Sequence, residues 1–170
     1  MKVILYMAIS IDGFIAKKNH DSDWVSEVDS EIFEAKIKKA RCLIVGRKTF
    51  EQYKGELYPM AGVLNVVLTN NKSKLQETKN IIITNKSPKD IVKYLEGKGF
   101  KEIIVIGGGN LNASFLKENL IDEIFLSIHP LILGDGIKLF ENIEKFVELR
   151  LLEVKKLKED LIQLHYKVKK

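Results

Sequence analysis

The pentapeptide CLIVG at residues 42–46 is apolar at every position before its glycine. A strand of this kind has no face to give to water. It must lie in a sheet covered on both sides, as parallel sheets are. Other strand-length apolar runs occur at residues 2–10 (KVILYMAIS), 63–69 (VLNVVLT), 80–84 (NIIIT), 101–109 (KEIIVIGGG) and 121–133 (IDEIFLSIHPLIL). Stretches of helical character separate them. Residues 29–40 place Ile32, Phe33, Ile37 and Ala40 on one helical face, and residues 48–53 read as a short helix. Pro88 opens a further helix that closes at Gly97 or Gly99, and residues 110–120 form another. The segments 145–158 and 160–170 show partial alternation about a turn at Glu159 and Asp160, the mark of an antiparallel hairpin. This order predicts an α/β fold, a three-layer sandwich with a mostly parallel central sheet and an antiparallel C-terminal hairpin. Residues 1–170 read as one domain without a repeat or linker. Right-handed crossovers carry the strand ends to one edge, where ligands bind in such sheets.

Composition narrows the partners. The chain has 170 residues, 45% hydrophobic and 30% charged, with a formal net charge of +5. A modest positive balance suits an anionic small ligand. No long basic run is interleaved with aromatics, so nucleic acid is not expected. Cys42 is the single cysteine and sits in an apolar strand, which excludes an intrachain disulfide. His20, His129 and His165 lack metal-ligand spacing, and no metal site is expected. The apolar N-terminal run is broken by Ser10 and Asp12, so it reads as a strand rather than a leader. No stretch has the length of a membrane span, and a cytoplasmic location is expected.

Four features fall at predicted strand ends. They are SIDGFIA at residues 10–16, DWVSEVDSEIF at 23–33, VGRKTFE at 45–51 and the glycine run 107–109. Three glycines between a strand and a helix permit unusual dihedrals and close approach by a ligand. A helix N-terminus just beyond offers free N–H groups to a phosphate. The dinucleotide spacing G-x-G-x-x-G is absent, since Asn110, Leu111 and Asn112 follow.

In their order and spacing these motifs resemble the dihydrofolate reductase superfamily, including the reductase domain of riboflavin-biosynthesis enzymes, over nearly the whole chain. SIDGFIA resembles the family's first-strand exit and mobile loop. Trp24, Asp29 and Phe33 keep the W-x4-D-x3-F spacing that folate reductases use around the pterin. GRKTFE and VIGGG resemble the two cofactor loops.

The resemblance implies an NADPH-dependent oxidoreductase acting on a small heterocyclic substrate. It places the cofactor against Ala8, Ile15, Gly46, Arg47, Lys48, Thr49, Thr69, Asn70, Ile106, Gly107, Gly108, Gly109, Asn110 and Leu111. It also implies a cis peptide at Gly107–Gly108. Arg47 and Thr49 stand at the phosphate contacts, and Thr69, Asn70 and Lys72 at a turn suited to a 2′-phosphate. Asp29 is the implied catalytic carboxylate, with Trp24, Phe33 and Ser127 as substrate-side residues.

Ordinary readings stand beside these. Arg47 could be a solvated surface residue, and Asn70 and Lys72 ordinary turn residues. Ser26-x-x-Asp29 is a passable helix start, with Asp29 serving the first turn. Phe33 could fill a helix core face, Trp24 could cap the core, and Ser127 could be a plain strand hydroxyl.

HPLILGDGIKLF at residues 129–140 resembles the riboflavin-type domain, whereas the loop EQYKGELYPMAG at 51–62 lacks that group's D-x-P-x-L substrate motif. Asn110 and Asn112 replace an arginine and a tyrosine common in folate reductases. A pterin and 5-amino-6-(5-phosphoribosylamino)uracil therefore both remain open as substrates, as does a non-catalytic nucleotide-binding role on the same fold. The riboflavin-type segment and the apolar C-terminal strands also lead us to expect a homodimer.

Overall fold

The computed structural model describes residues 1–71 and 75–170. In chain order the elements are β1 (Lys2–Ser10), β2 (Phe14–Ala16), α1 (Glu27–Ala40), β3 (Cys42–Gly46), α2 (Arg47–Gln52), β4 (Leu64–Leu68) and β5 (Ile81–Thr84). They continue as α3 (Pro88–Gly97), β6 (Glu102–Val105), α4 (Gly109–Lys117), β7 (Glu123–His129), β8 (Ile137–Lys138), β9 (Leu149–Lys158) and β10 (Leu161–Val168). An eight-stranded sheet runs in the order β5-β4-β3-β6-β1-β7-β10-β9. Its pairings are parallel from β5 to β7. They become antiparallel at β7–β10 and β10–β9. The expected α/β class and C-terminal hairpin are both present.

α1 and α3 start where their sequences provide side-chain caps. Ser26 Oγ accepts the Asp29 N–H at 3.3 Å, acidic Glu27 and Asp29 occupy the first turn of α1, and Lys38 and Lys39 the last. That distribution complements the helix dipole. Arg41, with φ 61°, ends the helix in the left-handed region. Ser87 caps α3 in the same way, ahead of Pro88.

Strand parity then sorts the core into two layers. Val3, Leu5, Cys42, Ile44, Ile103 and Val105 pack with Ile91 and Leu95 of α3 and Phe115 of α4. Ile4, Tyr6, Leu43, Val45, Ile104 and Ile106 pack with Ile37 of α1 and Phe50 of α2. Full burial of a side chain such as Ile37 contributes about 1.5–3 kcal/mol. Cys42 lies in the first layer with its thiol pushed up to about 12 by burial, so it is an inert core residue.

Two details differ from the sequence reading. The run 121–133 is a strand only as far as His129, where Pro130 follows and lacks the N–H to continue the ladder. Residues 14–16 and 137–138 form a small antiparallel sheet of their own that ties the loop after β1 to the GDG corner. Asp12 strengthens this link by accepting the Gly134 N–H at 2.7 Å. Among the described residues no helix is long and apolar enough to cross a membrane.

Candidate active site

Parity on β1, β7 and β10 brings polar side chains together under the start of α1. Tyr6 and Ala8 lie on one face of β1. Ala8 registers with Ser127 on β7, which in turn registers with Gln163 on β10. Asp29, in the first turn of α1, is 1% exposed and reaches down to this face. Its Oδ1 accepts the Tyr6 hydroxyl at 2.6 Å and the Ser127 hydroxyl at 2.6 Å. Gln163 Nε2 donates to both of those hydroxyls, to Tyr6 at 2.8 Å and to Ser127 at 3.0 Å. Burial, and then the charge of Asp29, holds the Tyr6 phenol well above its ordinary range, so it remains a donor. Two O–H donors occupy the two lone-pair sites of Oδ1, which leaves Oδ2 for a ligand.

His129 stands beside that oxygen, with Nε2 at 3.9 Å from Asp29 Oδ2. The Ser26 backbone N–H donates to Nε2 at 3.1 Å, so Nε2 is an acceptor and the ring hydrogen sits on Nδ1, facing the Ser127 carbonyl at 3.2 Å. In that tautomer the imidazole gives Asp29 no proton. It positions the start of α1 instead. Trp24 packs edge-on against His129, ring centroids 5.1 Å apart, and its Nε1 has no hydrogen-bond partner among the described residues.

Two cavities meet here. The first, about 290 Å³, is lined by Asp29, Phe33, Tyr6, Ala8, Ile15 and Ile106, with Tyr53, Leu57 and Tyr58 among its other walls. The second, about 780 Å³, is lined by Gly46, Arg47, Lys48, Thr49, Thr69, Asn70, Gly108, Gly109, Asn110 and Leu111. His20, Thr49, Gly108 and Ile137 line both, so the two form one cleft across the C-terminal ends of the parallel strands.

Gly108 lies where the two cavities meet, and Gly109 lines the second. The Gly107–Gly108 peptide is cis. The Gly46 N–H donates to the Gly107 carbonyl at 2.8 Å, which joins the ends of β3 and β6. Gly108 is the N-cap of α4 and offers no side-chain cap, so the first-turn N–H groups open on the second cavity.

Of the residues anticipated from sequence, Trp24, Gly107 and Ser127 line neither cavity, and the others among the described residues line one or both. Arg47 lines the cavity, but its guanidinium already pairs with Glu51 of the same helix at 2.5 Å. The Ser127 hydroxyl is not a plain strand hydroxyl, because it is committed to Asp29. Lys72 lies outside the described residues. Asp29 serves the helix start through its N–H, which donates to Ser26 Oγ, and it also lines the first cavity. Tyr6, His129 and Gln163 were missed. The available signal was a polar residue at an inward position of each strand, which becomes visible only when the strands are placed in register.

A glycine-lined cleft over a mostly parallel sheet, with a buried carboxylate at one end, defines the dihydrofolate reductase-like fold. The chain belongs to the RibD C-terminal domain family, whose model matches residues 1–163. It is 30% identical over 170 residues to the protein YwjB of Bacillus subtilis, a match that covers 97% of this chain and 97% of that one. A solved structure from Shewanella sp. PV-4, assigned to riboflavin biosynthesis, superposes with TM-score 0.81 at 28% identity and covers 100% of both chains. Dihydrofolate reductase from Enterococcus faecalis, in complex with NADP(H) and RAB-propyl, gives TM-score 0.75 at 18% identity over 99% of this chain and 97% of that one, a likeness of fold.

Proposed function

We propose that this protein is an NADPH-dependent reductase that delivers hydride to a pterin-like or aminopyrimidine-derived heterocycle. The observation that carries this reading is the division of one cleft into two halves. A half lined by glycines and edged by cations adjoins a half closed by a buried carboxylate, and they meet at Thr49 and Gly108.

The first half fits a dinucleotide phosphate. Arg47 and Lys48 supply charge, Thr49, Thr69 and Asn70 supply polar groups, and the uncapped start of α4 supplies N–H donors. NADPH, when bound, supplies the hydride. Ala8, Ile15 and Ile106, which line the first cavity, provide flat apolar contact for a reactive ring. Asp29 Oδ2 accepts an N–H of the substrate and so orients it, and Phe33 packs on the heterocycle. The loop after Ser10, tied down by β2–β8, excludes water. On this reading the enzyme works in the cytoplasm.

The family match favours a ribosylaminopyrimidine as substrate, and the carboxylate site favours a pterin. Steady-state NADPH oxidation with dihydrofolate and with the ribosylaminopyrimidine phosphate tests the proposal. Turnover of any heterocycle supports it. Cofactor binding without turnover of a broad heterocycle panel would favour the nucleotide-binding role instead.

NADPH is expected to bind more tightly than NADH, and Arg47→Ala to narrow that preference by about tenfold, the effect of losing one charge-assisted hydrogen bond. The Glu51 pairing argues against a larger effect, because part of the Arg47 charge is already compensated. Equal affinities of the unaltered protein for the two cofactors, measured by fluorescence titration, would refute the assignment.

The same reading includes a homodimer. β9 closes one end of the sheet and exposes Leu149, Leu151, Leu152 and Val154, with Phe146 89% exposed beside it. An edge of that kind is normally covered, and a second copy related by a two-fold axis covers both edges at once. Light scattering is expected to give twice the 19.4 kDa chain mass. A monomer at micromolar concentration would remove this part of the proposal.

A further inference from the structure

The C-terminal hairpin places one polar side chain in the core beneath α1. The buried residues of β10 are Leu161, Gln163 and Val168, and the middle one is an amide. A primary amide at an inward strand position loses its water and is tolerated where it is hydrogen-bonded. Gln163 lines neither cavity, so its partners are protein groups. Its Nε2 donates to the Tyr6 hydroxyl at 2.8 Å and to the Ser127 hydroxyl at 3.0 Å. Both hydroxyls in turn donate to Asp29 Oδ1, each at 2.6 Å.

The direction of these four bonds is forced. An ionised carboxylate accepts and does not donate, so each hydroxyl commits its one hydrogen to Oδ1. An amide oxygen in place of Nε2 would face two hydroxyl oxygens with no hydrogen between them. The NH₂ group instead gives one hydrogen to each. Without it, the Ser127 hydroxyl would be free to donate to the neighbouring Tyr6 oxygen, and Oδ1 would lose a donor. His129 supplies no substitute, because its Nε2 accepts the Ser26 N–H. We propose that Gln163 is a positioning residue of this site: by donating to both hydroxyls it directs their hydrogens onto Asp29 Oδ1 and so keeps Oδ2 as the oxygen free to accept from a ligand. Gln163 acts only through Tyr6, Ser127 and Asp29. The inference rests on the reductase reading, which makes Asp29 the substrate-side carboxylate, and it adds the C-terminal hairpin to the site.

Nuclear magnetic resonance of the full, unaltered chain without ligand tests the arrangement itself. The Tyr6 and Ser127 hydroxyl protons are expected as separate resonances in slow exchange with water. Each should show a cross-relaxation peak to a side-chain amide proton of Gln163. Hydroxyl protons that exchange too fast to observe, or that show no such peak, would overturn the proposal, whether or not any variant folds. Two substitutions test the consequence. Gln163→Met keeps the length of the side chain and removes both donors, whereas Gln163→Glu keeps the shape and puts acceptors in their place. The assay uses whichever of dihydrofolate and the ribosylaminopyrimidine phosphate the unaltered protein reduces. Gln163→Met is expected to lower kcat/KM by about tenfold and Gln163→Glu by more, with NADP⁺ affinity unchanged in both. Unchanged kcat/KM in both variants would make Gln163 a core-filling residue and overturn the proposal. A loss confined to Gln163→Met would overturn it as well, because the hydroxyls would then need an acceptor at this position. Turnover of neither compound by the unaltered protein counts against the reductase reading alone, since the ligand-free spectrum decides the hydrogen-bond arrangement.

Discussion

Asp29→Asn is expected to lower turnover by about a hundredfold or more while leaving cofactor affinity unchanged. The reason lies in the hydrogen-bond polarity of the site. Tyr6 and Ser127 both donate to Oδ1, so the asparagine oxygen takes that position to keep them satisfied. The amide NH₂ then replaces Oδ2, and the substrate meets a donor where it had an acceptor. A loss of about 3–4 kcal/mol in the transition state corresponds to that factor. Asp29 lines the substrate half and Arg47 the other, so NADP⁺ binding should survive. The helix start should survive as well, because the Ser26 cap accepts the backbone N–H of residue 29 and not its side chain. Steady-state kinetics on the substrate identified by the panel, together with a cofactor titration, checks both halves. Full activity of the variant would show that Asp29 serves only the helix.

Gly109→Ala is expected to destabilise the fold by about 1–3 kcal/mol, the usual cost of forcing a methyl group into filled space. A Cβ at this position would collide with the backbone carbonyl oxygen of Lys138 and come within 2.8 Å of Glu141 Cγ. The carbonyl cannot swing away as the end of a flexible side chain could. Either the start of α4 or the 138–141 segment must shift, and Asn110 and Leu111 at the cofactor half would move with α4. Gly97→Ala is the contrasting case. Gly97 is the last residue of α3, and a Cβ there meets nothing within 4 Å. That substitution should stabilise by about 0.5–1 kcal/mol, because alanine loses less backbone entropy than glycine in a helix. Urea midpoints for the two variants should therefore move in opposite directions. A Gly109→Ala protein as stable as the parent would mean that the crowded contact is relieved at no cost.

The layer architecture was legible because it depends on local properties. CLIVG cannot form a strand with a wet face, Ser26 and Ser87 cap helices through bonds within a few residues, and Pro88 pre-sets a helix start. The glycine run, the GRKT loop and Asp29 could be read as site candidates for the same reason, since each is a contiguous motif at a strand end. The end of β7 was misplaced because apolarity continues past Pro130 after hydrogen bonding has stopped.

What the amino-acid order determined by itself was the alternation of strands and helices, the capped starts of α1 and α3, and the bare glycines. What the tertiary structure alone decided was the state of Asp29. Tyr6, Ser127 and Gln163 are separated from it by 23, 98 and 134 positions, and strand register, which no local pattern encodes, brings the two hydroxyls to one carboxylate and the Gln163 amide to both hydroxyls. The same register sets the direction of each hydrogen bond around Asp29 and leaves Oδ2 open. Chain folding over long distances decides those juxtapositions, and hence which ligand chemistry the cleft admits.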